Sequence, residues 1–321
     1  MPITADEIID RRRLRRKLTF WRVVALAIAA AAIVAAVYSP FAEQFGMTAR
    51  DHIAKVRIEG TITVDDELLE RLRAIGKADS VKAIILAVDS PGGTTAGGEA
   101  IYEEVRKLAA VKPVAAQVDT LAASAGYMIS SASDHIVARQ SSIVGSIGVL
   151  FQFPDVTGLM DKIGVKLEGV KSSPLKAEPS PFSPTTEEER VMIRALIMDS
   201  YDWFVGLVEE RRSLSRAEAL ALADGSIFTG RQALDNKLVD ALGGEDEVRT
   251  WLEGKGVAKG LEIVEWKPRR SGQEWLTGSG VANTLARALG IPAGGNLVSE
   301  LGVDRIFLDG LVSVWQPDRG R

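Results

Sequence analysis

A chain of 321 residues with 46% hydrophobic and 26% charged side chains can bury a full core and is not disordered as a whole. It has no cysteine, which excludes disulfides, cysteine metal sites and a cysteine nucleophile, and its two histidines, His52 and His135, leave few partners for a Ser-His-Asp triad. The net charge of −4 divides into +4 over residues 1–22 and −8 over the rest; no basic, aromatic-interleaved face marks the main body, so nucleic acid is not an expected partner.

Arg11, Arg12, Arg13, Arg15, Arg16, Lys17 and Arg22 precede an uncharged apolar run over residues 23–37, bracketed by Trp21 and Tyr38. Residues 20–41 would extend about 33 Å as a helix, enough to cross a bilayer core. Positive charge ahead of the run predicts a cytoplasmic N-terminus and an exported body. The alternatives are a signal peptide cut near residues 35–39, which Pro40 disfavours, and an Ala-rich buried helix.

After a short linker, residues 53–60 alternate apolar and polar and predict a strand buried on one face. Leu68, Leu69 and Leu72 predict a helix over 65–75. The continuous apolar run 81–88 predicts a strand covered on both faces, ending in the turn Asp89-Ser90-Pro91-Gly92-Gly93. A helix is expected over 97–110 and a strand over 113–118. Next comes Asp119-Thr-Leu-Ala-Ala-Ser124-Ala-Gly-Tyr-Met-Ile-Ser130, where a strand hands over to a small-residue helix.

Short strands are expected at 135–138 and 143–151, a helix at 156–163, and a strand at 165–170. A loop rich in Pro and Ser, residues 171–183, carries Lys176. The helix 186–212 opens with a capping box, Thr186 and Glu189. Helices follow at 215–223, 230–237 and 246–254, and a closing strand at 261–266. Beyond Pro268 the composition shifts to Gly, Ser and Arg with apolar patches, the texture of a weakly ordered terminus or a partner-binding segment. Strands alternating with helices argue a parallel α/β sheet.

Three stretches could carry chemistry. Ser124 stands where the backbone turns sharply, and the small Ala125 and Gly126 permit close approach of a substrate, the logic of a nucleophile elbow. The plain alternative is a packing serine at a helix start. A serine nucleophile needs a base within hydrogen-bond reach. His135 reads as a strand-end residue and His52 lies beside the linker, so a lysine is the better partner. Lys176, in a Pro-stiffened loop, qualifies only if burial lowers its pKa; a solvated surface lysine is equally compatible with the sequence. Gly92 and Gly93, with Ala125, could offer backbone N–H groups to an oxyanion, or form an ordinary Pro-Gly turn. No metal site or cofactor is expected.

These parts, in this order, resemble the signal peptide peptidase A family of serine proteases. The likeness covers residues 53–250 and the basic-apolar N-terminus. It rests on Ile58-Glu-Gly-Thr-Ile62, Asp89-Ser-Pro-Gly-Gly93, Ala122-Ala-Ser-Ala-Gly-Tyr-Met-Ile-Ser130, Gly145-Ser-Ile-Gly-Val149, Lys171-Ser-Ser-Pro-Leu-Lys176, and Phe228-Thr-Gly-Arg-Gln-Ala233 with Leu238-Val-Asp240 and Leu242-Gly-Gly244. The resemblance implies an α/β fold similar to crotonase and Clp protease, with a parallel sheet core after one N-terminal transmembrane helix. It implies Ser124 as nucleophile, Lys176 as general base, and an oxyanion held near Gly92, Gly93 and Ala125. It further implies a single-pass protein of the cytoplasmic membrane with its catalytic body outside. Signal-peptide remnants would be substrates, and a homo-oligomeric ring could complete the dyad between neighbours. Ala125 and Ser173 stand where many relatives have glycine; Ala125 implies a backbone there without positive φ.

The expected domains are a basic N-terminus (1–19), a membrane helix (20–41), a linker (42–51), the peptidase domain (52–267) and a tail (268–321). Two other readings are an NfeD-type membrane protease with a stomatin-like partner and a non-catalytic ring scaffold that binds membrane peptides. A crotonase-like acyl-CoA enzyme fits poorly with an export anchor.

Overall fold

The computed structural model describes residues 50–268, together with Lys17, the helical run 20–28 and a strand at Val312–Val314. The chain divides into two compact units, residues 1–50 and 51–321. In the first, residues 20–28 are helical and mostly exposed. Among the described residues no helix is long and apolar enough to cross a membrane. The expected span 20–41 is therefore unsupported; its residues 29–41, like most of the tail, lie outside the described residues.

The second unit runs β1 (His52–Ile62), α1 (Asp66–Lys77), β2 (Val81–Thr94), α2 (Thr95–Ala109), β3 (Val114–Ala123), α3 (Ala125–Ser131), β4 (His135–Ala138) and β5 (Ile143–Gly145). Then come α4 (Thr157–Ile163), α5 (Glu187–Arg212), α6 (Arg216–Leu222), β6 (Ile227–Thr229), α7 (Gly230–Asp235), β7 (Ala241–Leu242), α8 (Glu245–Gly254), β8 (Glu262–Glu265) and β9 (Val312–Val314). The strands form one mixed sheet, with central order β6-β5-β3-β2-β1-β8; β4 joins β3 to β7, and β9 joins β2. Pairing is parallel through the centre and antiparallel for β5 with β6 and β2 with β9.

Two covered faces explain why β2 is apolar from Ala83 to Val88, after the exposed Lys82. Ile84, Leu86 and Val88 join the larger core with α1 and α2, while Ala83 and Ile85 face a smaller core with Val248 and Leu252 of α8. The helix ends are closed locally. Asp65 accepts from the Leu68 N–H at the start of α1, and the Lys112 ammonium donates to Ile75 O and Ala78 O at its end. The capping box expected at Thr186 and Glu189 forms at the head of α5.

Three expectations change. The stretch Asp89–Gly93 is not a turn after β2: the strand continues to Thr94, because β1 keeps pairing with it, Thr61 to Gly92 and Ile62 to Gly93. The strand expected over 143–151 stops at Gly145, whose φ of 109° turns the chain away. Residues 165–170 form no strand and are exposed, since an alternating segment without a neighbouring edge cannot satisfy its backbone.

Candidate active site

β3 hands over to α3 at Ser124, the N-cap of α3, with φ 57° and ψ −119°. For a residue with a side chain this conformation costs about 1–3 kcal/mol and persists only where the surroundings enforce it. They do so from both sides. The Ser124 N–H donates to Gly145 O at 2.8 Å, across the pairing of Ala123 with Gly145, and Ser124 O accepts from the Met128 N–H at 2.9 Å. The residue is only 1% exposed, and its side chain makes no capping bond to α3. Ala125 has no positive φ, as expected; the strain falls on the serine instead.

α3 is buried along its whole length. Close packing sets its position: a Cβ on Gly126 would lie 2.9 Å from Ser90 O, and one on Gly98 would lie 3.1 Å from both Ala125 Cβ and Met128 Sδ. The carbonyls at the end of a buried helix need donors. Arg106 Nη1 donates to Ala132 O at 2.8 Å, and Arg211 donates to Ser131 O and Ser133 O, each at 3.2 Å. Tyr127 donates its phenol O–H to Leu238 O, and burial pushes that phenol's pKa up. Two arginines and a tyrosine thus lock the helix that begins at Ser124.

The glycine pair lies beside this junction, since Ser90 registers with Ala122 of β3. Ser90 Oγ donates to Gly60 O at 2.6 Å and accepts the Gly92 N–H at 3.0 Å. The Ser90 hydroxyl therefore pins β2 to β1, and the Gly92 amide is engaged within β2 itself. Gly93 must be glycine, because a Cβ there would lie 1.8 Å from Ile62 O. The Ala125 N–H is the first of α3 and has no intrahelical acceptor.

Both histidines are engaged elsewhere. His52 Nε2 accepts from Trp266 Nε1 at 3.2 Å. His135 stacks on Trp251 at 4.8 Å and faces Asp240 at 3.7 Å; burial, opposed by Asp240, lowers its pKa. Lys176 is exposed in the loop after α4, where its N–H donates to Ser173 O. In the single chain it does not share the buried surroundings of Ser124. The sequence reading assigned nothing to Ser146, next to the carbonyl that receives the Ser124 N–H. It too has a positive φ, 53°, and is nearly buried. The signal was the Gly145-Ser146 pair, a combination at home in a sharp turn.

A mixed α/β sheet that presents a strained, buried serine at the head of a buried helix belongs to the Clp-protease-like class of folds. The model of peptidase family S49 matches residues 106–258, and that of Clp protease matches residues 43–143. A Methanocaldococcus jannaschii protein with a provisional protease name is 41% identical over 59% of this chain and 61% of its own length. A Synechocystis sp. protein, also provisionally named a protease, is 35% identical over 64% of this chain and 75% of its own. The chloroplastic serine protease SPPA of Arabidopsis thaliana is 31% identical over 61% of this chain but only 31% of its own. The chain belongs to peptidase family S49, of the signal peptide peptidase A type, and spans 61% of the Methanocaldococcus jannaschii relative's length and 31% of the chloroplastic one's.

Proposed function

We propose that Ser124 is the nucleophile and Lys176 the general base of a membrane-anchored endopeptidase that cleaves extended apolar peptides. Ser124 Oγ attacks the scissile carbonyl while its proton passes to the Lys176 amine. The N–H groups of Gly93 and Ala125 receive the oxyanion, with Gly92 shaping the strand that presents them. The ammonium then protonates the leaving amine, and Lys176 activates water to release the acyl group. The observation that carries this reading is the backbone of Ser124: a serine held at positive φ, buried, at the head of a helix it does not cap.

Lys176 is exposed in the single chain, and a lysine base must be desolvated. The segment around it suggests how. α4 has no buried residue, and Leu159, Ile163, Leu167, Val191, Leu196 and Met198 are each at least 50% exposed. Exposed apolar side chains on these two elements offer a surface for association. We read it as the contact with a second copy of the chain in a homo-oligomeric ring, which buries Lys176 beside a serine. Residues 20–41 serve as the anchor, with residues 52–267 on the extracytoplasmic side, where signal-peptide remnants are the fitting substrates.

The test is cleavage of an apolar peptide by the full chain in detergent, with sedimentation in parallel. Ser124→Ala and Lys176→Ala should each abolish turnover without changing assembly, and Leu196→Asp with Met198→Asp should lower both assembly and turnover. Retained cleavage by either single variant refutes the dyad. Full turnover by a monomeric double variant refutes the shared site.

A further inference from the structure

β8 covers only the first part of the outer edge of β1. It pairs from His52 with Glu262 to Lys55 with Glu265, and the Trp266 N–H then donates to Lys55 O at 2.9 Å. Beyond that point β8 has ended, while β1 runs on to Ile62. The sheet order sets this edge on the side of β1 that faces away from β2 and β3, and so away from the Ser124 junction. Lys55 O faces β8, so the backbone groups of Arg57 and Glu59, in phase with it, face the same uncovered edge. Along that edge lies a cavity of about 530 Å³, a size that suits a small ligand.

The cavity has an apolar side, formed by Ile58, Ile62, Leu68, Ile101 and Trp266, each at most 9% exposed. Its charged side is not balanced. Arg57 is held by Glu59 and Glu265, each at 3.1 Å, and Asp65 is engaged in capping α1 through the Leu68 N–H at 3.0 Å. Arg71 differs. Its Nη1 donates to Trp266 O at 3.2 Å, but its buried Nε–H meets no acceptor among the described residues. Burial lowers the pKa of this guanidinium, with Glu67 and Asp65 opposing. A buried donor without a partner is costly, and the partner that suits a guanidinium is an anion. With Nη1 turned to Trp266, the edge formed by Nε and Nη2 remains, and such an edge receives a carboxylate in two parallel bonds. Lys267, exposed beside the cavity, adds a second positive charge.

We propose that this cavity binds the end of an extended apolar peptide, with the free C-terminal carboxylate on Arg71, an apolar side chain against Ile58 and Ile62, and the peptide backbone along the Arg57–Glu59 edge of β1. An uncovered strand edge is a template for an extended chain, which is why the carboxylate is assigned to a peptide. Hydrolysis of a peptide bond leaves such an end on the acyl half. That the bound peptide is a product of this chain rests on the reading of Ser124 as a nucleophile; the binding site itself does not.

The experiment uses the full chain in detergent with Ser124→Ala, so that no probe is cleaved. Binding of fluorescein-Gly-Ala-Val-Ala-Leu is measured by anisotropy, as the free acid and as the C-terminal amide, to this parent and to its Arg71→Gln and Arg71→Lys forms. The acid should bind the parent at least about tenfold tighter than the amide, the worth of charge-assisted hydrogen bonds. Arg71→Gln should erase that difference, and Arg71→Lys, which keeps the charge without the fork, should retain part of it. Equal binding of acid and amide by the parent, a comparison that needs no change at Arg71, overturns the site. A preference for the acid that survives Arg71→Gln also overturns it, since the carboxylate then lies elsewhere. Octanoate, followed by calorimetry, is the remaining arm: octanoate bound where the peptide acid is not would assign the cavity to a fatty acid and overturn the peptide. Every arm lacks the Ser124 hydroxyl, so failure here leaves the nucleophile to be judged by its own labelling.

Discussion

Replacing Ser124 by glycine should stabilise the protein relative to replacing it by alanine, although both remove the hydroxyl. At φ 57° and ψ −119° any side chain meets its own backbone, and such a conformation costs about 1–3 kcal/mol. Ser124→Ala keeps the Cβ and therefore the strain. Ser124→Gly releases it, at a cost of about 0.5–1 kcal/mol for the greater freedom of glycine in the unfolded chain. The net difference is about 1 kcal/mol in favour of glycine, equivalent to roughly 2–4 °C in Tm for a body of this size. The comparison is made by urea unfolding and by thermal melts of the two variants side by side, which cancels the loss of the hydroxyl. A glycine variant no more stable than the alanine variant would show that Ser124 is not held at positive φ in solution, and the elbow would lose its physical basis.

Gly126→Ala should cost about 1–3 kcal/mol, because the new Cβ meets the backbone Ser90 O at 2.9 Å and α3 must shift. Its labelling by a fluorophosphonate should fall with it, whereas a stable and fully labelled variant would argue against the tight seat of α3. Lys176→Ala should leave the melting curve of the body unchanged within about 0.5 kcal/mol, as for an exposed residue, while ending turnover. For pH, His135 is the informative group: its folded pKa lies below its usual 6.5 because it is buried, so the unfolded chain takes up the proton first. The stability it contributes is full above about pH 6.5 and is lost as the pH falls through the folded value. His135→Phe, which keeps the stack on Trp251, should flatten this part of the stability profile measured between pH 7 and 5; an unchanged slope would assign the acid sensitivity to another group.

Much of this architecture was legible because it is written in local patterns. The apolar run of β2 announced a strand covered on both faces, and Thr186 with Glu189 announced the start of α5. Ser124 stood out because it lies where a strand hands over to a small-residue helix, although the strand runs on to Ala123, five residues beyond its expected end. What the sequence hid depends on partners distant along the chain. Asp89–Gly93 read as a turn, since Pro and two glycines are turn residues, yet Thr61 and Ile62 hold it in the sheet. The same glycines suggested two outward amides; the Ser90 hydroxyl takes the one at Gly92. Residues 165–170 alternate like a strand but lack an edge to join. Arg211 is 80 residues from the carbonyl of Ser131 that it satisfies, and no local pattern predicts such a pairing. The surroundings of Lys176 were equally out of reach, because a loop's burial is set by whatever packs over it.

The most direct test of the account is to label the assembled full chain in detergent with a fluorophosphonate and map the adduct by peptide mass spectrometry. The account predicts a single adduct on Ser124, absent in Ser124→Ala and strongly slowed in Lys176→Ala. An adduct on another serine, or labelling of Ser124 at an undiminished rate without Lys176, would contradict it.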